Sequence, residues 1–427
     1  MIEAVERLAR ILEQENLEWE VFYQFGRSGS FEIERETLER SQRKFYSGIG
    51  LRVGLKGRLG FSYITGLHPS DETLERLVRR TVKLAKVSEV PFRGFPSPKG
   101  VRTVGNLYDR RIDEIPFEEA HSMAIEYSEL MRELKNGETL SGSFSLAVGT
   151  KGVVNSNGIE LEERSTYMGV SAYAVVREPP GTGSYRQTYR SLQPQEELEN
   201  AVRKAIDEAR LSSRAKRLEA YSGELVLEPE AVSAIFDIFL ANLYGDEIYH
   251  ERSRFSKVGE EVGDFTLVDD STLDGFPGSY SFDGEGVPGQ RTVLVENGIL
   301  RNFLLDHTYA SFLAMESTGN AVRSFRSVPY IGTSNVVIET GDMELDDYEG
   351  VIVRKVFGEH TANPVSGDFS LTVELGYAVK NGELRPFKDN MLVGNVFELL
   401  KTLKPGKKAK RLSTFLSPRV LIEGRLV

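Results

Sequence analysis

Residues 282–322 read FDGEGVPGQRTVLVENGILRNFLLDHTYASFLAMESTGNAV. The centre of this run predicts a hairpin. Arg291–Val295 is β-branched and apolar, Glu296-Asn297-Gly298 is a tight turn, and Ile299–Leu305 is apolar again. Asn-Gly between two such runs accommodates the positive φ of a type I′ turn. Upstream, Gly284, Gly286, Pro288 and Gly289 predict a rigid loop rather than a regular element.

Working outward, the same grammar fills the second half of the chain. GELVLEP is a short strand ending at Pro229. EPEAVSAIFDIFLANLYGD reads as one helix, with Pro229 in its first turn and Gly245 near its end. Strands follow over 335–340 and 351–357, then a hairpin over 369–386 turning at Asn381-Gly382, and a late helix over 394–403. The basic cluster Lys404, Lys407, Lys408, Lys410 and Arg411 is interrupted by Pro405-Gly406 and reads as a solvated loop. The first half alternates differently. Helices are expected over 1–15, 71–87, 116–134 and 194–212, with strands over 18–64 and 139–176 and turns at Lys56-Gly57 and Asn157-Gly158. The expected fold class is α+β: an N-terminal layer of helices on a mainly antiparallel sheet (1–212), then a β-rich curled sheet or barrel-like unit (221–427).

Composition narrows the chemistry. There is no cysteine in 427 residues, so disulfides, thiolate nucleophiles and sulfur-ligated zinc are excluded. The net charge of −11 argues against a sequence-independent grip on a nucleic-acid backbone. No apolar run reaches the roughly 18–20 residues of a membrane span. The amphipathic start MIEAVERLARILEQ has no signal-peptide apolar region, which makes the cytoplasm the expected compartment.

The 282–322 run resembles the TldD/PmbA (TldE) family, intracellular proteins of metalloprotease ancestry. The resemblance covers nearly the whole chain and is also carried by residues 45–63 and by 366–397, with SGDFS, KNGE and LVGN. Zinc proteases of that family carry His-Glu-x-x-x-His on a helix, followed closely by Gly-Asp, with a Cys later. The two His and the Cys hold zinc and the Glu acts as general base. Setting Gly245-Asp246 on the family's Gly-Asp puts Phe236 and Ala241 at the His positions, Asp237 at the Glu position and Val373 near the Cys position. None of Phe, Ala and Val can give a lone pair to a metal. The chain is therefore similar to the PmbA/TldE branch, which pairs with a zinc-bearing TldD-like subunit.

The resemblance implies a zinc-free, cleft-shaping, substrate-binding subunit of a peptidase for unfolded or extended peptides. It implies no catalytic residue, metal or other cofactor in this chain, the zinc residing in the partner. Residues expected to line the peptide or partner cleft are Asp237, Asp283, Gly284, Gly286, Pro288, Gly289, Gln290 and Arg291. For Asp237 two readings stand: a relic carboxylate lining a cleft, or a solvated member of the stripe Glu230, Ser233, Asp237, which fits a helical period. Five histidines (His68, His121, His250, His307, His360) have no helical ligand spacing, and no Gly-x-Ser-x-Gly elbow appears. Asp306 before His307 reads as a helix cap or an Asp–His pair. A dimer of some kind is expected, homo- or hetero-oligomeric, without nucleic acid or membrane. An independent hydrolase with another site, and a regulator of the gyrase-modulator type, are the alternatives.

Overall fold

The computed structural model describes residues 1–427. Strands β1 (Glu18–Glu34), β2 (Thr37–Leu55), β3 (Arg58–Thr65), β4 (Thr139–Asn155), β5 (Glu160–Val176) and β6 (Gly181–Tyr189) form one antiparallel six-stranded sheet, ordered β3-β2-β1-β4-β5-β6. Helices α1 (Ile2–Gln14), α2 (Asp71–Val87), α3 (Arg110–Glu114), α4 (Phe117–Leu134) and α5 (Gln195–Arg214) accompany it. The pleat explains the layering, because successive side chains point to opposite faces. Trp19, Val21, Tyr23, Ile49, Leu51 and Val53 face one way and bury against α1 and α2. Phe31, Phe144, Met168 and Val170 bury in the same manner with α4 and α5. The Ser70 side chain accepts from Thr73 N–H and caps the start of α2.

The alternate residues, among them Glu20, Phe22, Arg52, Lys151 and Val153, face the other half of the chain. That half begins with β7 (Tyr221–Leu227), α6 (Pro229–Leu240) and α7 (Gly245–Tyr249). It continues through β8 (Leu267–Asp270), β9 (Arg291–Glu296), β10 (Ile299–Leu300), α8 (His307–Leu313), β11 (Ala321–Val322), β12 (Tyr330–Ile331) and β13 (Val336–Ile338). Then come β14 (Gly350–Phe357), β15 (Asp368–Lys380), β16 (Glu383–Phe387), β17 (Met391–Asn395), α9 (Val396–Leu400), β18 (Lys404–Leu412) and β19 (Phe415–Leu426). Strands β7, β14, β15, β17 and β19 close into a five-stranded ring because β19 pairs with both β17 and β7. Strands β13, β8, β9 and β10 extend from the ring through β19, while β16 and β18 flank it. Ala231, Val232, Ile235, Phe236 and Phe239 of α6 bury in one core with Leu227, Val353, Leu371, Val373 and Ile422 of the ring. The two large sheets share no strand.

Several expectations need correction. Gly245 does not close α6; the helix ends at Leu240 and Gly245 opens α7. The second arm of the 291–305 hairpin is regular only over Ile299–Leu300, because Leu304 leaves the sheet. Its N–H donates to Leu243 O at 2.8 Å and its carbonyl accepts from Gly245 at 2.9 Å. The turn itself matches, with φ of 46° at Asn297 and 82° at Gly298. The basic cluster at 404–411 is not a loop but strand β18, paired with β19, and its lysines reach acidic side chains, Lys407 to Glu344 at 2.9 Å and Lys410 to Glu230 at 2.9 Å. Strands β6 and β19 lay outside the sequence-based expectations.

Candidate functional site: a charged junction between the halves

The second face of the six-stranded sheet meets the 282–325 segment in a small apolar knot of Phe22, Val153, Ile159, Phe282 and Phe325. Close approach is what the glycines of β2 permit: a Cβ on Gly48 would stand 2.2 Å from the Phe325 ring. Beside this knot lies a chain of buried charges. Glu20 and Arg52 are direct cross-strand partners. Arg52 donates to both Glu20 oxygens at 2.8 and 2.7 Å and to Glu285 at 2.7 Å. Arg323 donates to Glu20, and the His307 N–H donates to the second Glu285 oxygen at 2.8 Å. Burial works against the Arg52 charge, but Glu20 and then Glu285 outweigh it and hold the proton more firmly than usual. Glu285, although burial raises it, is held below the usual carboxylate range by Arg52. Burial instead pushes Arg323 down to about 10.

The Asp283–Gly289 loop is folded around this junction. The Asp283 carboxylate accepts from Glu285 N–H at 2.8 Å, Val287 N–H at 3.0 Å and Ala321 N–H at 3.0 Å. Burial and the neighbouring Glu285 push Asp283 up to about 7. Asp306 caps α8 by accepting from Tyr309 N–H at 2.7 Å, which selects the cap over an Asp–His pair. Burial, then Glu285, push Asp306 up to about 8.

That raised value has a stability consequence of definite sign. The folded chain keeps a proton that the unfolded chain, near 3.8, releases. The contribution is therefore full below pH 4 and is lost as pH rises through about 8. Asp306→Asn keeps a good cap but carries no charge. We expect it to flatten the decline in urea-unfolding stability between pH 5 and pH 8 and to exceed the wild type at pH 8 by ~1–2 kcal/mol. Parallel pH curves for the two proteins would rule this out.

Between the halves, next to the charge chain, is a polar cleft of about 350 Å³. Asp283 and Gly284 line it with Phe22, Lys151, Arg190 and Arg323, among others. Lys151 donates to Phe282 O at 2.6 Å, lies 3.4 Å from Glu163 and stands 4.8 Å above the Phe282 ring. Burial lowers its pKa.

The eight residues expected at a cleft are thus divided. Asp283 and Gly284 reach one. Gly286, Pro288 and Gly289 do not line it; Gly286 is buried within the junction and Pro288 and Gly289 are half-buried beside it. Gly286 has φ of +81° and a Cβ there would meet Ile159 at 2.8 Å, while one on Gly289 would meet Tyr280 O at 2.4 Å. Gly286→Val is accordingly expected to destabilise the isolated chain by at least ~2 kcal/mol, read as a lowered urea midpoint; an unchanged midpoint would contradict this placement. Gln290 and Arg291 lie at the surface, Gln290 on Ser317 O at 3.1 Å and Arg291 paired with Glu339 at 2.5 Å. Asp237 is far from these in the chain and is an exposed residue of α6. Protein crowding around its exposed carboxylate, and then Glu359, still raise its pKa, to about 6. Phe236 and Val373 are fully buried, and Ala241 caps the end of α6.

Three stretches match family patterns. Residues 19–85 match PmbA/TldA metallopeptidase domain 1, 110–212 the central domain, and 221–427 the C-terminal domain. The chain belongs to the PmbA/TldD family. It is 32% identical to an uncharacterized protein of Methanocaldococcus jannaschii over 99% of both chains. It is 26% identical to a protein of the same organism named a metalloprotease, over 88% of this chain and 86% of that one. Among solved structures, TldE from Thermococcus kodakarensis superposes with a TM-score of 0.88 at 23% identity, covering 99% of this chain and 100% of that one. A putative modulator of DNA gyrase from Thermotoga maritima does so at 0.87 and 22% identity, covering all of both. At such identities the likeness is one of fold.

Within this PmbA/TldD fold, the residues that sequence reading did not single out are charged ones: Glu20, Arg52 and Lys151 on strands, Arg190 just after β6 and Arg323 just after β11. A signal existed for two of them. Glu20 interrupts Trp19-Glu-Val21 and Arg52 interrupts Leu51-Arg-Val53, and a charge inside an apolar β run needs a buried partner.

Proposed function

We propose that the chain is a zinc-free, substrate-holding subunit of a TldD-like zinc metallopeptidase, in the manner of TldE, acting in the cytoplasm on unfolded or extended peptides. One observation carries the reading. The positions set against the two His and the Cys of the family's zinc proteases hold Phe236, Ala241 and Val373, two of them sealed in the barrel core. No three His, Asp or Glu side chains are grouped so as to hold a metal ion elsewhere. The residues present do not fit zinc, and no catalytic step is assigned to this chain. Its work is then to bind and orient substrate and to complete the chamber of the zinc-bearing subunit. An extended peptide offers its backbone for recognition where a folded chain does not. The relatives named metalloproteases support a role in proteolysis.

The test is reconstitution. Co-expressed with a TldD-like zinc chain, the protein is expected to co-purify with it and to raise peptide cleavage, with zinc following the partner. Alone, it is expected to carry well under one zinc per chain by elemental analysis and to cleave nothing. About one zinc per isolated chain, lost on substituting His250, His307 or His360, would overturn the proposal.

A further inference from the structure

Two arginines at the junction carry hydrogen-bond donors that nothing in the protein accepts. Arg323 is 7% exposed, and its Nε and Nη2 are buried without a partner. Arg190 is 4% exposed, and its Nη1 is in the same state. A buried, unsatisfied donor is costly, more so when charged, so two such groups on one cleft need a reason.

Their remaining donors are fully engaged. Arg323 holds Glu20. Arg190 caps three carbonyls of the opposite half, Phe276 at 3.2 Å, Pro277 at 2.7 Å and Ser279 at 2.6 Å, and lies 4.0 Å above the Tyr167 ring. Both guanidinium groups are therefore fixed in place, as a recognition site requires. Both residues line the 350 Å³ cleft together with Lys151. Lys151 is balanced by Glu163. Arg190 forms no ion pair with any carboxylate of the chain. Facing them, Asp283 has its oxygens occupied by three backbone N–H groups.

The geometry points to a binding site for a carboxylate, the C-terminal carboxylate of an extended peptide, held by Arg190 and Arg323 in the cleft between the two halves. Planar guanidinium groups match a carboxylate's two oxygens. Among the cations lining the cleft, Lys151 is paired with Glu163 and Arg323 with Glu20, so Arg190 alone carries a charge without a carboxylate partner, which suits a monoanion better than a phosphate dianion. The volume holds a peptide terminus rather than a folded partner. The inference rests on the peptide-binding reading above and adds to it which end of the peptide is held, and by what.

The test uses the full chain and a fluorescent extended hexapeptide, as free acid and as C-terminal amide, with binding read by anisotropy. The free acid is expected to bind at least tenfold more tightly. Arg323→Lys keeps a cation for Glu20 but removes the orphan donors, and Arg190→Gln removes the unpaired charge. Each is expected to reduce the preference to under threefold, the fold being checked by circular dichroism. Thermal midpoints in acetate, phosphate and sulfate provide the second arm, since a ligand of the folded state raises the midpoint. Acetate is expected to raise it in the wild type and not in Arg323→Lys. Equal binding of acid and amide overturns the carboxylate site and leaves peptide binding intact. Stabilisation by acetate without any peptide binding keeps the site and refutes the peptide reading. Phosphate or sulfate stabilising as well as acetate, or no effect of any probe, overturns the assignment.

Discussion

Arg52→Ala is expected to cost about 3–5 kcal/mol of stability, the usual loss when one member of a buried ion network is removed. Glu20 would keep only Arg323, and Glu285 would keep only the His307 N–H. Both carboxylates would remain in a region closed to water, Glu20 at 0% and Glu285 at 1% exposure. Arg52 also hydrogen-bonds β2 to Glu285 of the 283–289 loop, so the loss should loosen the contact between the halves. Urea unfolding followed by fluorescence of Trp19, the single tryptophan, would measure it. Trp19 neighbours Glu20 in β1 and so reports on the affected sheet. A loss below about 1 kcal/mol would mean that water reaches these charges and that the network is worth no more than a surface pair.

The second large effect concerns α6, the helix that the family resemblance sets against a zinc-binding one. Phe236 is fully buried, with its ring 5.5 Å from Phe265 and 6.2 Å from Phe239, both edge-on. Phe236→His, which puts a histidine where the resemblance sets a zinc ligand, is expected to lose about 3–5 kcal/mol, from lost apolar contact and an imidazole without a partner. It should also bind no stoichiometric zinc, since Ala241 and Val373 supply no companion ligands. The urea midpoint and metal content of the variant check both parts. A variant as stable as the parent and holding one zinc would show that the site survives behind the aromatic ring.

How much of this could be read beforehand follows from the range of the forces involved. Local chemistry was legible. Asp306 capping α8 and the turns at Asn297-Gly298 and Asn381-Gly382 depend on residues a few positions apart, and they stand where expected. What escaped depends on partners hundreds of residues away. Lys404–Leu412 looks like a solvated stretch until β19 supplies the strand beside it. Gly286 looks like a point of open backbone access until Ile159 is seen against it. Arg323 looks like any surface cation until Glu20, 303 positions earlier, is found at its end. The orphaned donors of Arg190 and Arg323 are a property of three dimensions alone, because an unsatisfied group is defined by everything that does not approach it.

The closure of the barrel by β19 has a consequence for how the protein is made. Strand β7 pairs from Tyr221 to Leu227 with residues 420–426 of β19. On the ribosome, β7 emerges roughly 190 residues before that partner. At about 5–20 residues per second, it waits on the order of 10–40 seconds with one edge unpaired. Its parallel neighbour β14 is made sooner but still follows by more than a hundred residues. During that interval the apolar strand Leu225-Val226-Leu227 is a template for the wrong partner. Premature termination anywhere before residue 420 leaves the ring open for good. Nascent chains stalled in the last fifty codons should therefore be held by chaperones or degraded, while chains released after residue 426 escape both.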